Sequence, residues 1–345
     1  MKDKAKTRFS FSGIIFYFSL IILAIFAFLH FAELEKFLLL LKKINPVWFI
    51  PAFLCQMLTY AFVANIFHIF LNKLNYQSAV SRWNLFKLSI ITLFLNQAIP
   101  IGGLSGPAYS IHFFQKRKLP AHIGLLVALL ETFTYYITHF LFAVFAALFL
   151  ILRLKEKFSG ILVGISFLGM LVFLVLAVLF LILGNKKTAV AIVHKSAKSR
   201  WLNFLLRKLN LEFVEKDVLL DQWQGPWEFI KSKKKDLIKP LFFQAMVILA
   251  DTFTALLLFY GFGFRPNFFI VLVSMVLTKI VAVTSISPGA LVIFEGAMVL
   301  FYSSFNIPLQ LAIMVTLLFR VLSFWLPMPF GLFLYKHLSK NHEQD

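Results

Sequence analysis

Residues 161–183 read ILVGISFLGMLVFLVLAVLFLIL, a stretch without one charged side chain. A helix needs about 20 apolar residues to cross the hydrocarbon core of a bilayer, so this stretch reads as a full membrane crossing. Outward from it, five more runs have the same character: 14–31, 47–71, 121–152, 240–262 and 308–335. Composition agrees. Of 345 residues, 60% are hydrophobic and only 14% are charged, and 44 are Phe, too little charge to cover a water-exposed surface. The expected class is an all-α polytopic membrane protein, 1–345 forming one membrane domain. The single cysteine, Cys55, makes no intrachain disulfide, so the fold needs no oxidising compartment.

The net charge of +19 would suggest nucleic acid for a soluble chain, but no nucleic-acid-binding motif accompanies it. Its distribution instead sets topology. With the N-terminus inside, Lys2, Lys4, Lys6, Arg8, Lys73, Arg82, Lys116, Arg117, Lys118, Lys336, Lys340 and the basic loop 185–239 share one side. Lys36, Lys42, Lys43, Arg153, Lys155, Lys157 and Arg265 fall on the other. Lys and Arg concentrate on the cytoplasmic side, so both termini are expected there, in a plasma (inner) membrane. Basic residues 1–8 before an apolar run resemble a signal peptide, but no small-x-small cleavage site follows, and a retained first helix is expected. In the loop, Lys198, Arg200, Trp201, Leu202, Phe204, Leu205, Arg207 and Lys208 mix basic and apolar residues. That mixture suits a helix lying on an anionic leaflet, and equally an ordinary positively charged loop.

Two further apolar stretches, 84–114 and 268–305, are each interrupted by a proline–glycine turn: Ile99-Pro100-Ile101-Gly102-Gly103 in the first, Ser287-Pro288-Gly289-Ala290 in the second. Proline removes a backbone donor and glycine loosens the helix, so each stretch is expected to bend back as a re-entrant hairpin. Pro100 and Pro288 are 188 positions apart, and so are Pro120 and Pro308. Each half then reads helix, broken hairpin, long helix, the first repeat at about 46–152 and the second at about 240–335. The charge-derived topology makes the first hairpin enter from the cytoplasm and the second from outside. An inverted repeat of this kind places a transporter's site where its broken elements meet.

Charged side chains at membrane depth are costly unless paired or hydrated, and mark functional sites. Five stand out: Glu131, Asp251, Lys279, Glu295 and Arg320. Arg320 is expected to pair with a carboxylate, since each would offset the burial of the other. Gly102, Gly103 and Gly289 would allow backbone to approach a ligand closely, or serve only the turn. The eight histidines form no HExxH or Cys/His set, and neither a phosphate-binding GxxxxGK[ST] loop nor a GxSxG elbow occurs. No metal, cofactor or catalytic set is expected.

Pro100, Gly102, Gly103, Glu131, Pro288, Gly289, Glu295 and Arg320 together resemble the pattern of the membrane region of lysylphosphatidylglycerol synthases, the flippase-like family. The likeness covers about 10–335. Two features depart from it: Ala290 stands where the family's second turn has another glycine, and Ser105-Gly106-Pro107-Ala108-Tyr109 stands where an arginine is expected after the first hairpin. The resemblance implies a translocator for a phospholipid or lipid-linked molecule, its headgroup crossing between the hairpins. Glu131 and Glu295 would contact cationic parts, and Lys279 and Arg320 phosphate. Two alternatives stand beside it. One is an aminoacyl-phosphatidylglycerol synthase, whose soluble transferase domain would follow the membrane region, whereas this sequence ends at Asp345. The other is a membrane partner of a separate lipid-modifying enzyme. Expected partners are membrane lipids, anionic phospholipid included, and a second copy or such an enzyme, but not nucleic acid.

Overall fold

A computed structural model describes residues 44–98, 105–152, 159–183, 225–285 and 288–340. Among the described residues there is no strand, and five helices are long and apolar enough to cross a membrane. They fall on five of the six expected crossings. The sixth, at 14–31, lies outside the described residues, as do Pro100, Gly102, Gly103 and the basic stretch 198–208.

The first repeat comprises α1 (Pro46–Lys73), α2 (Arg82–Ala98), α3 (Ser105–Gln115) and α4 (Ala121–Leu152), followed by α5 (Ser159–Leu183). A short α6 (Pro226–Ser232) and a 3-10 turn (Lys234–Leu237) lead into the second repeat: α7 (Ile238–Gly261), α8 (Phe268–Val283), α9 (Ile293–Ser304) and α10 (Leu309–Arg320), continued by α11 (Pro327–Lys340). Local signals set the starts. Asn45 accepts from the backbone N–H of Val47 at 3.0 Å with Pro46 at the first helical position, and Asn267 caps α8 by accepting from Phe269 N–H at 2.8 Å. The starts of α3 and α9, and those of α4 and α10, keep the 188-residue interval of the prolines.

The equivalent helices α1 and α7 pack along their whole length and run antiparallel. Asn45 N–H donates to Gly261 O at 2.9 Å, Thr254 Oγ1 to Ala52 O at 3.3 Å, and at the far end Lys73 meets Asp236 at 2.7 Å. A Cβ on Gly261 would overlap Ile44, so glycine permits the close approach. Two equivalent helices pointing in opposite directions are what an inverted repeat requires. Packing exchanges between the halves in the same way: α2 lies against α11, and α8 against α4. Phe94, Leu95 and Ala98 of α2 share a buried cluster with Phe324 and Met328, and Phe94 takes the space a side chain on Gly331 would need.

The long final helix expected at 308–335 is present, with a local irregularity inside it. Directly after Arg320, residues Val321–Trp325 form a π-turn in which Leu326 N–H donates to Val321 O at 2.8 Å. Pro327 explains it: it offers no N–H to the carbonyl of Ser323, and its ring would crowd that carbonyl in a straight helix. The amide of Gln97 on α2 covers the freed carbonyl at 3.4 Å.

Candidate functional site: a polar chamber between the repeats

Where α1 crosses α7, polar side chains gather at a depth that lipid would not tolerate. A cavity of about 240 Å³ opens there, lined by Gln56, Thr59 and Tyr60 of α1, Thr92, Asn96 and Gln97 of α2, and Glu131 and Tyr135 of α4. Gln244 and Asp251 of α7, Lys279 of α8, and Phe319, Arg320 and Ser323 complete the wall. Four of the five expected charged residues line it, and the fifth, Glu295, sits behind Arg320.

The charges are organised as two closed pairs and one single carboxylate. Lys279 Nζ lies 2.6 Å from Asp251 Oδ2, and Gln56 Nε2 donates to the other oxygen of Asp251 at 3.3 Å. Arg320 is 5% exposed. Its Nε donates to Glu295 Oε1 at 2.5 Å and its Nη2 to the carbonyl of Gly289 at 2.8 Å. The guanidinium is held between the rings of Phe294 and Phe324, at 4.6 and 4.4 Å from their centroids. One arginine thus fastens the second hairpin's turn, its following helix and α10 together, a task the planar fork of donors suits. Glu131 has no cation within ion-pair reach among the described residues. Thr132 Oγ1 approaches it at 3.5 Å, a marginal distance.

The turn itself is a 3-10 segment, Pro288–Ala290, which leads through Leu291 to Val292 at the start of α9. Gly289 has φ 58°, and the Phe324 ring occupies the position of any side chain it might carry. Ala290 and Val292 also adopt left-handed backbone, φ 51° and 69°. For a β-branched residue this is strained, by about 1–2 kcal/mol. The departure at Ala290 therefore falls on a conformation that glycine would adopt freely.

The arms of the first hairpin are joined differently. Asn96 Oδ1 accepts from Gly106 N–H at 2.7 Å and Ser105 Oγ at 3.1 Å, and Ser105 Oγ also reaches Leu95 O at 2.9 Å. A Cβ on Gly106 would strike Asn96 and the carbonyl of Thr92. Neutral hydrogen bonds here do the joining that Arg320 does in the second hairpin, at the place where the family pattern has an arginine.

Sequence reasoning missed Gln56, Gln244, Tyr60, Tyr135 and Asn96. A signal existed for two of them: Gln56 and Gln244 are separated by the same 188 positions as the prolines. Both are buried, at 3% and 1% exposure, and each leaves Oε1 without a hydrogen-bond partner at the cavity.

These features define a class: a polytopic helical membrane protein in which two antiparallel repeats enclose a charged chamber. Residues 13–331 match the family described as the lysylphosphatidylglycerol synthase TM region, and the chain belongs to that family. It is also similar to a UPF0104 membrane protein of Methanocaldococcus jannaschii, 24% identical over 322 residues that cover 90% of each chain. No solved structure matches it.

Proposed function

We propose that the protein moves a phospholipid or lipid-linked molecule across the bilayer, the headgroup passing through the chamber while the acyl chains stay in lipid. The observation that carries this reading is the chamber itself. Water-sized space, four charged groups and unpaired amide oxygens stand between two broken hairpins, in a chain whose outer helix faces are apolar. Polar surface at membrane depth is retained where something polar must pass or bind. The location proposed is the plasma membrane, and the charge bias of the loops supports cytoplasmic termini. Thiol labelling of single cysteines near either terminus, in a Cys55→Ala background, tests that orientation.

The test of function is translocation in proteoliposomes of acyl-labelled phospholipids with unmodified headgroups. Wild type is expected to exceed empty liposomes for at least one headgroup. Thr59→Trp, which fills the chamber where the repeats cross, is expected to abolish the excess at equal folding. Full activity in that variant would overturn the chamber as the route. Absence of movement for anionic, zwitterionic and aminoacylated lipids, together with incorporation of labelled lysine from charged transfer RNA into lipid, would replace translocation with the aminoacyl transfer that the family's description names.

A further inference from the structure

The charges around the chamber do not cancel. Lys279 is closed onto Asp251 and Arg320 onto Glu295, which leaves Glu131. The titratable and charged groups around the same cavity are Tyr60 on α1, Asp251 on α7, Lys279 on α8, Arg320 on α10 and Tyr135 one turn along α4. α2 contributes only neutral side chains, and α9 only Phe294. No free cation stands among them. Thr132 Oγ1, the side-chain donor near Glu131, is already committed to Ala128 O at 2.8 Å. A carboxylate held out of water without a counter-charge is neutralised by taking up a proton or a cation. Gln56 and Gln244 line the same cavity, and each has a buried Oε1 without a hydrogen-bond partner. Carboxylate and amide oxygens lining one cavity can accept from the three N–H donors of a primary ammonium group, whereas a quaternary one has no N–H to give them and is held by its charge alone.

We propose that Glu131 is an exchange site: it carries a proton while the chamber holds no ligand cation, and loses that proton when the primary ammonium of a headgroup enters. The carboxylic acid becomes a carboxylate paired to ammonium, and the proton leaves to the water on the side toward which the chamber is open. Lipid movement in one direction then carries a proton in the other. The lipid half rests on the proposed translocation; the proton half stands on the chamber alone.

Two measurements separate these halves. Infrared difference spectra of the protein in nanodiscs, between mildly acidic and alkaline buffer, are expected to contain a protonated-carboxyl band that Glu131→Gln lacks and Glu131→Asp retains. Acyl-labelled phosphatidylethanolamine in proteoliposomes, with the membrane potential clamped at zero, is expected to redistribute across the bilayer by about 10-fold per unit of imposed pH gradient for one proton per lipid. Glu131→Gln is expected to lose this redistribution, and phosphatidylcholine to be unaffected. An unchanged band in Glu131→Gln overturns the proton site. Lipid movement indifferent to the pH gradient, or driven instead by a sodium gradient, overturns the exchange and leaves translocation standing. A band lost in Glu131→Gln with no lipid movement in any headgroup series leaves the proton site and removes the translocator.

Discussion

The two repeats share a scaffold and differ in chemistry. Helices start at the same interval in both, yet at equivalent positions the charged residues of one half face neutral residues of the other. Asp251, Lys279, Glu295 and Arg320 correspond to Val63, Ile91, Pro107 and Thr132, and Glu131 corresponds to Phe319. Only Gln56 and Gln244 keep the same side chain at the chamber. The second half holds its hairpin with a buried ion pair on a turn carbonyl, the first with the amide of Asn96. Backbone geometry and apolar packing are thus the repeated property, while the charges belong to one half or the other. A symmetric shell around an asymmetric lining is suited to a ligand that is itself polar at one end.

The comparison breaks most severely at Arg320. Arg320→Ala leaves Glu295 buried without its cation and Gly289 O without its donor. It is expected to destabilise the protein by about 3–5 kcal/mol, read as midpoint shifts of unfolding in detergent. The apolar double variant Arg320→Leu with Glu295→Leu is expected to recover most of that stability and none of the transport. Recovery of both would show that the pair serves only packing. Asn96→Ala, the counterpart in the first hairpin, removes hydrogen bonds between neutral groups and is expected to cost less, about 1–3 kcal/mol on the same scale. Equal losses at the two sites would contradict the contrast drawn between them.

Smaller effects sharpen it. Ala290→Gly relieves a left-handed alanine and is expected to raise stability by up to about 1 kcal/mol, whereas Gly106→Ala, in the other hairpin, is expected to lower it through the clash with Asn96. The glutamines span a similar range, ending on the least effect of all. Gln56→Leu loses the bond to Asp251 and should cost about 1 kcal/mol, while Gln244→Leu removes an unpaired buried oxygen and should be close to neutral. Both should nonetheless slow lipid movement. A Gln244→Leu variant with unchanged transport would exclude that side chain from the route.

The crossings were legible because runs such as 161–183 have only one stable solvent, and Pro100, Pro288, Pro120 and Pro308 carried the repeat on spacing alone. Which carboxylate each cation takes was not legible for Lys279, because helix rotation and tilt decide it and neither leaves a local sequence mark. The π-turn after Arg320 had a visible cause in Pro327, but a proline near the end of a crossing is as compatible with a kink as with a widened turn. Gln56 and Gln244 escaped notice for a different reason. Glutamine is unremarkable in a sequence until its partner at the repeat interval is sought. Asn96 was hidden because its role is to cap a helix across a break, a relation between two arms rather than a property of either.

The antiparallel seam of α1 and α7 also bears on how the molecule is made. Gln56 and Asp251 are 195 residues apart in the chain, and Thr254 reaches back 202 residues to Ala52. At ~5–20 residues per second of synthesis, α1 emerges on the order of 10–40 s before its partner exists. Through that wait its own apolar run, with a mean hydropathy of 1.7 over its most apolar window, and its packing on α2 and α4 must hold Gln56 and Thr59 in the bilayer without α7. The half-made protein is therefore the state most exposed to membrane quality control, and substitutions that make α1 more polar should act first on how much protein accumulates.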